Sequence, residues 1–126
     1  MNLAYYPGCS IHATAKEYEI SAKKVLEKLN VDLKEIKDWS CCGAFEAVST
    51  NHLLSVLLPA RNLSLELPAD TEKDKIIMLC SACQQVHNIA KQAMMDNSEL
   101  EKKASSVIGR KINLDIQILH LSLIHI

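Results

Sequence analysis

The stretch Lys75-Ile76-Ile77-Met78-Leu79-Cys80-Ser81-Ala82-Cys83 decides the fold. An unbroken apolar run of this length, without polar alternation, suits a strand covered on both faces, as in a parallel sheet. Cys80 closes the run and Ser81 is placed to cap a helix, whose apolar stripe is Ala82, Val86, Ile89, Ala90, Ala93 and Met94. The same strand-then-helix grammar opens the chain. Leu3-Ala4-Tyr5-Tyr6 is a short β-prone run stopped by Pro7-Gly8. Thr14-Ala15-Lys16-Glu17 then fits a capping box, in which the Thr14 hydroxyl accepts a backbone N–H and Glu17 reaches back. Ala15, Tyr18, Ala22, Val25, Leu26 and Leu29 form the apolar face of the helix that follows, and Lys16, Lys23, Lys24 and Glu27 its solvated face. Asn30 is a left-handed cap for its end.

Between these units, residues 31–36 alternate imperfectly and read as a short strand. Residues 47–67 are leucine-rich and helical in pattern. Pro59 lacks a backbone donor, which predicts a kink there, or two helices with Pro59 opening the second. Residues 68–74 form a polar linker. Asn97-Ser98 breaks the helix after Cys83, a further helical segment runs to Ile108, Gly109 ends it, and residues 112–119 alternate as a last strand. The order of elements predicts an α/β, Rossmann-like layered fold: a mostly parallel sheet with flanking helices. In such sheets the crevice at the carboxyl ends of the strands holds the site.

Five cysteines fall at or near those ends: Cys9, the adjacent pair in Trp39-Ser40-Cys41-Cys42-Gly43-Ala44, and Cys80 and Cys83 as C-x-x-C. The expectation is that the fold brings the five sulfurs to one place. The chain has 126 residues, enough for one core, with 48% hydrophobic and 23% charged residues. The net charge is −1 with no basic run, which gives nucleic-acid binding no electrostatic support. The first residues do not read as a signal peptide, and no apolar segment is long enough to span a bilayer. An odd number of cysteines without a secretion signal argues against a disulfide framework and for metal or redox chemistry in the cytoplasm.

Thiolates are soft donors that select zinc, copper(I) or iron–sulfur clusters. A zinc site is usually built from two C-x-x-C or C-x-x-H knuckles, and here there is one. Neighbouring side chains diverge, so Cys41 and Cys42 suit two metal atoms of a cluster better than one ion. An ordinary cubane takes one thiolate fewer than the chain offers. Cys83 lies in the first turn of a predicted helix, a position that lowers a thiol pKa, and Gly43 allows close backbone approach or a positive φ. The alternatives are a structural zinc site, a thioredoxin-like pair at Cys80 and Cys83, and scattered buried thiols. His12, three residues after Cys9, and His87, four after Cys83, are within reach of the site, but the preferred readings are a loop histidine and a helix-surface histidine; His52 reads as a helix-start residue, Trp39 as packing rather than a shield for a cluster, and His120 and His125 lie in the tail.

Cys9, Cys41-Cys42-Gly43 and Cys80-x-x-Cys83 make a complete CCG-domain motif. The surrounding text, Tyr5-Tyr6-Pro7-Gly8-Cys9-Ser10, Ala15-Lys16-Glu17-Tyr18, Ser49-Thr50-Asn51-His52-Leu53-Leu54 and Leu58-Pro59-Ala60-Arg61-Asn62-Leu63, resembles the family of heterodisulfide reductase B subunits. The resemblance covers the chain to about Leu121. It implies that Cys9, Cys41, Cys42, Cys80 and Cys83 bind one noncubane iron–sulfur cluster, of 4Fe-4S type, built from two smaller units that share atoms. It also implies a cytoplasmic oxidoreductase complex with a flavin-containing A subunit plus an iron–sulfur C subunit. In methanogens that complex reduces the mixed disulfide of coenzyme M and coenzyme B, a small-molecule disulfide cleaved between the clusters of two CCG domains. This chain carries one such domain. The expectation is therefore a CCG domain over residues 1–121, a tail at 122–126, and an N-terminal half of a longer protein, inactive as a disulfide reductase without a second CCG domain. Related CCG proteins act in other electron-transfer complexes, so a cluster-carrying electron-transfer module is the main alternative.

Overall fold

A computed structural model describes residues 1–43 and 51–121, without the side chains of Ser10 and His12. Four strands, β1 (Asn2–Tyr6), β2 (Asp32–Glu35), β3 (Lys75–Met78) and β4 (Gln117–His120), form one sheet in the order β2-β1-β3-β4. All three pairings are parallel, with Tyr5 opposite Glu35 and Ile77, and Ile77 opposite Leu119. The helices are α1 (Cys9–Ala13), α2 (Lys16–Lys28), α3 (His52–Leu63), α4 (Ser81–Asp96) and α5 (Ser98–Ile108). The α/β layered fold expected from the sequence is the fold observed. No described helix is long and apolar enough to cross a membrane.

Alternation along the central strands explains the layers. Leu3, Tyr5 and Ile77 face one side and pack with Ile11 of α1 and Ala22 of α2. Ala4, Tyr6, Ile76 and Met78 face the other and pack with Val56, Ala60 and Leu63 of α3, Cys83, Ala90 and Met94 of α4, and Ala104 of α5. Because β1 and β3 are covered on both faces, their sequences are apolar at every position but the first.

Several local expectations are corrected. The N-cap position of α2 is Ala15, one residue past Thr14, so the capping box expected with Thr14 as N-cap is out of register with the helix start. This helix buries Glu19, Ala22 and Leu26, leaving Tyr18, Val25 and Leu29 exposed. Glu19 can turn inward because the Tyr5 hydroxyl donates to it at 3.2 Å and Lys23 pairs with it at 2.9 Å. Asn30 does take a positive φ, 61°.

Pro59 neither ends nor starts a helix. It sits inside α3, buried, with Val56, Ala60 and Leu63 packed into the core around it. That packing offsets the missing backbone donor. The helix is capped by Asn51, whose side chain accepts from the Leu54 N–H, and it ends at Leu63 rather than 67. The expected start at 47 lies outside the described residues, as does the tail at 122–126. Ser81 opens α4 rather than capping it; the cap position is Cys80. The buried residues of α4 are Cys83, His87, Ala90 and Met94, with Ile89 exposed, so the helix is rotated from the expected stripe. The last strand is shorter than expected. Asn113 turns the chain by accepting from Asp115 N–H, and its own N–H bonds the Leu63 carbonyl instead of a strand.

Candidate metal centre

Parallel pairing places the carboxyl ends of β1, β2 and β3 side by side, and each is followed by cysteine. Cys9 starts the short α1, whose backbone also includes His12, so that residue is helical rather than in a loop; Cys41 and Cys42 follow β2, and Cys80 and Cys83 bracket the start of α4. Four of the five sulfurs meet in two close pairs. Cys9 Sγ lies 3.6 Å from Cys41 Sγ, and Cys42 Sγ lies 3.6 Å from Cys83 Sγ. Cys80, at the N-terminal boundary of the helix that carries Cys83, is near enough to raise the Cys83 pKa. The backbone N–H of Gly43 donates to Cys41 Sγ at 3.4 Å, in a residue with φ +70°. None of the five cysteines is in a disulfide; Cys9 and Cys41 are exposed, Cys80 is half-buried, and Cys42 and Cys83 are buried.

Two features shape the space. Gly8, with φ +77°, passes so close that a Cβ on it would stand 3.0 Å from Cys83 Sγ. Tyr6 lies under the site, its ring edge-on to Trp39 at 5.3 Å and to His87 at 5.0 Å, and its hydroxyl donates to the Ser40 carbonyl at 2.7 Å. Burial pushes the Tyr6 hydroxyl well above its ordinary pKa, and the negative charge available to Cys42, Cys83, Cys41 and Cys9 adds to this.

The loop before the paired cysteines is held by two consecutive residues of α3. Arg61 donates to the Asp38 carbonyl and carboxylate, both at 2.8 Å, where Asp38 has φ 64°. Asn62 grips Ser40, and His87 contacts Asn62. His87 is therefore not on the helix surface as the sequence suggested; it is fully buried. Burial lowers its pKa to about 4, against a smaller upward pull from its bond to the Cys83 carbonyl. Sequence reasoning missed Asn62 as well, although its place beside Arg61 in the Leu58–Leu63 motif was the available signal. His52 does open α3, His120 lies in β4, and His12 and His125 are outside the described side chains.

The expected lowering of the Cys83 pKa is also overturned. Its bond with the Cys42 thiol, then burial, hold it well above the ordinary thiol range despite the helix N-terminus. Burial likewise raises the Cys41 thiol, with Cys9 adding and the Gly43 N–H opposing. A metal held by these thiols would displace their protons.

Among the described residues, no group of three or more His, Cys, Asp or Glu side chains is arranged to hold a single metal ion. The sulfurs are instead arranged as two close pairs and a fifth thiol. Two thiolates on one tetrahedral ion, each about 2.3 Å from it, stand about 3.8 Å apart. Each 3.6 Å pair is of that size. The donor set and the space left by Gly8 thus fit a group with more than one metal atom.

A family model for the CCG cysteine-rich domain matches residues 3–86, and the chain belongs to that family. Two relatives carry the comparison further. The 8-methylmenaquinol:fumarate reductase membrane anchor subunit of Wolinella succinogenes is 35% identical over 80 residues, 64% of this chain and 27% of that protein. A protein of Archaeoglobus profundus described as like the B subunit of heterodisulfide reductase is 22% identical over 103 residues, 81% of this chain and 33% of that protein. The chain thus aligns with about a quarter to a third of the length of these relatives. The crystal structure of a hypothetical protein from Helicobacter pylori shares the fold, with TM-score 0.76 and 19% identity over 95% of this chain and 24% of that one.

Proposed function

We propose that Cys9, Cys41, Cys42, Cys80 and Cys83 hold a multi-iron iron–sulfur cluster of the noncubane 4Fe-4S type. In this reading the chain is a CCG domain of a component of a cytoplasmic oxidoreductase. The observation that carries it is the gathering of five soft donors as two tetrahedral-sized pairs and a fifth thiol. Such a group, when bound, supplies one-electron transfer. The chain's own residues do the rest. Cys9 and Cys41 face solvent, so a small-molecule disulfide or a partner's redox group approaches from their side. Tyr6, Trp39 and His87 wall off the opposite side from water. The Gly43 N–H stabilises negative charge on Cys41 sulfur.

The relatives' names support a reductase complex, in which the partners are equivalents of the flavin-containing and iron–sulfur subunits of heterodisulfide reductase, together with a second CCG domain. Disulfide reduction of the coenzyme M–coenzyme B type is the finer reading, and electron transfer without a disulfide substrate is its alternative. A spectral change of the loaded protein on adding thiol or disulfide separates the two. A cysteine-to-serine series, reconstituted with iron and sulfide without oxygen, tests the ligand set. Each of the five substitutions is expected to lower the visible absorption, and Cys42→Ser to abolish it. Unchanged absorption in both Cys9→Ser and Cys41→Ser overturns the five-ligand reading. A structural zinc site, for which the Cys42–Cys83 spacing is also suitable, would instead give a colourless protein that chelator unfolds.

A further inference from the structure

Beside the cysteines lies a buried polar path that links two of the segments carrying them. The side-chain amide of Asn62, from α3, meets the backbone of Ser40 as a neighbouring strand would. Ser40 N–H donates to Asn62 Oδ1 at 2.9 Å, and Asn62 Nδ2 donates to the Ser40 carbonyl at 2.9 Å. Ser40 Oγ adds a third bond to Oδ1 at 3.3 Å. Asn62 Nδ2 also lies 3.2 Å from His87 Nε2, and His87 Nδ1 lies 2.7 Å from the Cys83 carbonyl oxygen.

The directions of these bonds follow from the chemistry of the ends. A carbonyl only accepts, so His87 Nδ1 carries the hydrogen. Nε2 is then the lone-pair nitrogen and accepts from Asn62. One tautomer and one amide orientation satisfy every group, and no buried side-chain nitrogen or oxygen among the described residues lacks a partner. Asn62 is 2% exposed and His87 not at all. Polar groups buried this deeply are costly unless fully bonded, and a satisfied network of this kind fixes geometry that apolar packing leaves looser. The path runs from Cys83 through His87 and Asn62 to Ser40, the residue immediately before Cys41 and Cys42.

We infer that Asn62 and His87 are positioning residues that set the separation between the Cys41–Cys42 pair and Cys83. The role of that separation rests on the cluster reading above, but the separation itself is measurable in the metal-free chain. The test is the rate at which diamide, a thiol oxidant, forms the Cys42–Cys83 disulfide, mapped by mass spectrometry.

The 3.6 Å contact predisposes the wild-type chain to this bond. Asn62→Leu and His87→Phe are each expected to slow it about tenfold, the factor matching the loss of one well-made buried hydrogen bond. The double variant is expected within about twofold of the slower single, because both changes cut the same path. Val56→Ala, a core change on the same helix, serves as the stability control: it is expected to lower Tm and leave the rate unchanged. Wild-type rates in both single variants, at temperatures where they remain folded, overturn the inference. So does an equal slowing in Val56→Ala. Failure of the wild type to bind iron would remove the cluster reading, while the disulfide rates still decide the positioning role.

Discussion

Replacing Gly8 by alanine puts a methyl group 3.0 Å from Cys83 Sγ and fixes an L-residue at φ +77°. The two costs are separable, because Gly109 has nearly the same backbone, φ +80°, with nothing within 4 Å of its built Cβ. A left-handed L-residue costs about 1–2 kcal/mol, and the smaller entropy of the unfolded alanine chain returns about 0.4–1 kcal/mol. Gly109→Ala is therefore expected to lose about 1 kcal/mol. Gly8→Ala adds overpacking against a buried sulfur, worth about 1–3 kcal/mol. The sulfur cannot swing aside without leaving its 3.6 Å contact with Cys42. At roughly 4 °C per kcal/mol for a chain of this size, Gly8→Ala should melt roughly 8 °C below Gly109→Ala. The assay is thermal unfolding of the metal-free protein in reducing buffer. In a Cys83→Ala background, the excess cost of Gly8→Ala should vanish. Equal melting temperatures for the two alanine variants, or an excess that persists without Cys83, would refute the close approach of the Gly8 backbone to the sulfur.

Other outcomes follow from the same geometry. Burial depresses the His87 pKa from 6.5 to about 4, so between those values the unfolded chain binds more protons than the folded one. His87 thus contributes stability that is complete above pH 6.5 and is lost as pH falls towards 4, by about 3 kcal/mol. By denaturant titration, wild type should lose about 3 kcal/mol more than His87→Phe as pH falls from 6.5 to 4; parallel pH profiles count against a neutral buried imidazole. Arg61→Ala removes two bonds to Asp38, but the pair is largely exposed, so urea unfolding should show a loss of about 1 kcal/mol or less. Tyr5→Phe leaves buried Glu19 its Lys23 partner and should cost about 1 kcal/mol by the same measurement.

The sheet was legible because its central strands are short, apolar on both faces and punctuated by Pro7-Gly8 and by the cysteines themselves. The existence of the four longer described helices was legible for the same reason of periodicity, but α1, too short to show a period, was not, and neither was helix rotation. In α2 the inward position is Glu19, whose burial depends on Tyr5 and Lys23. In α4 it is His87, whose burial depends on Asn62 and on its own helix's carbonyl. A hydrophobicity pattern assigns both residues to solvent, since the partners that make their burial tolerable come from other elements or from bonds no period reveals. Pro59 misled for a related reason: local backbone preference argued for a break, and tertiary packing on Val56, Ala60 and Leu63 prevailed. At the site, the cysteines were legible from adjacency and spacing. The Asn62 amide was not, because its place in the Leu58–Leu63 motif marks the segment but not the burial that its bonds to Ser40 and His87 make tolerable.

The most direct test is iron and acid-labile sulfide per chain, measured on protein purified or reconstituted without oxygen. The expected result is a brown protein with more iron per chain than an ordinary cubane holds, engaging all five thiols. Zinc in place of iron, or a cubane's complement with one cysteine still reactive to alkylation, would contradict a five-cysteine noncubane cluster.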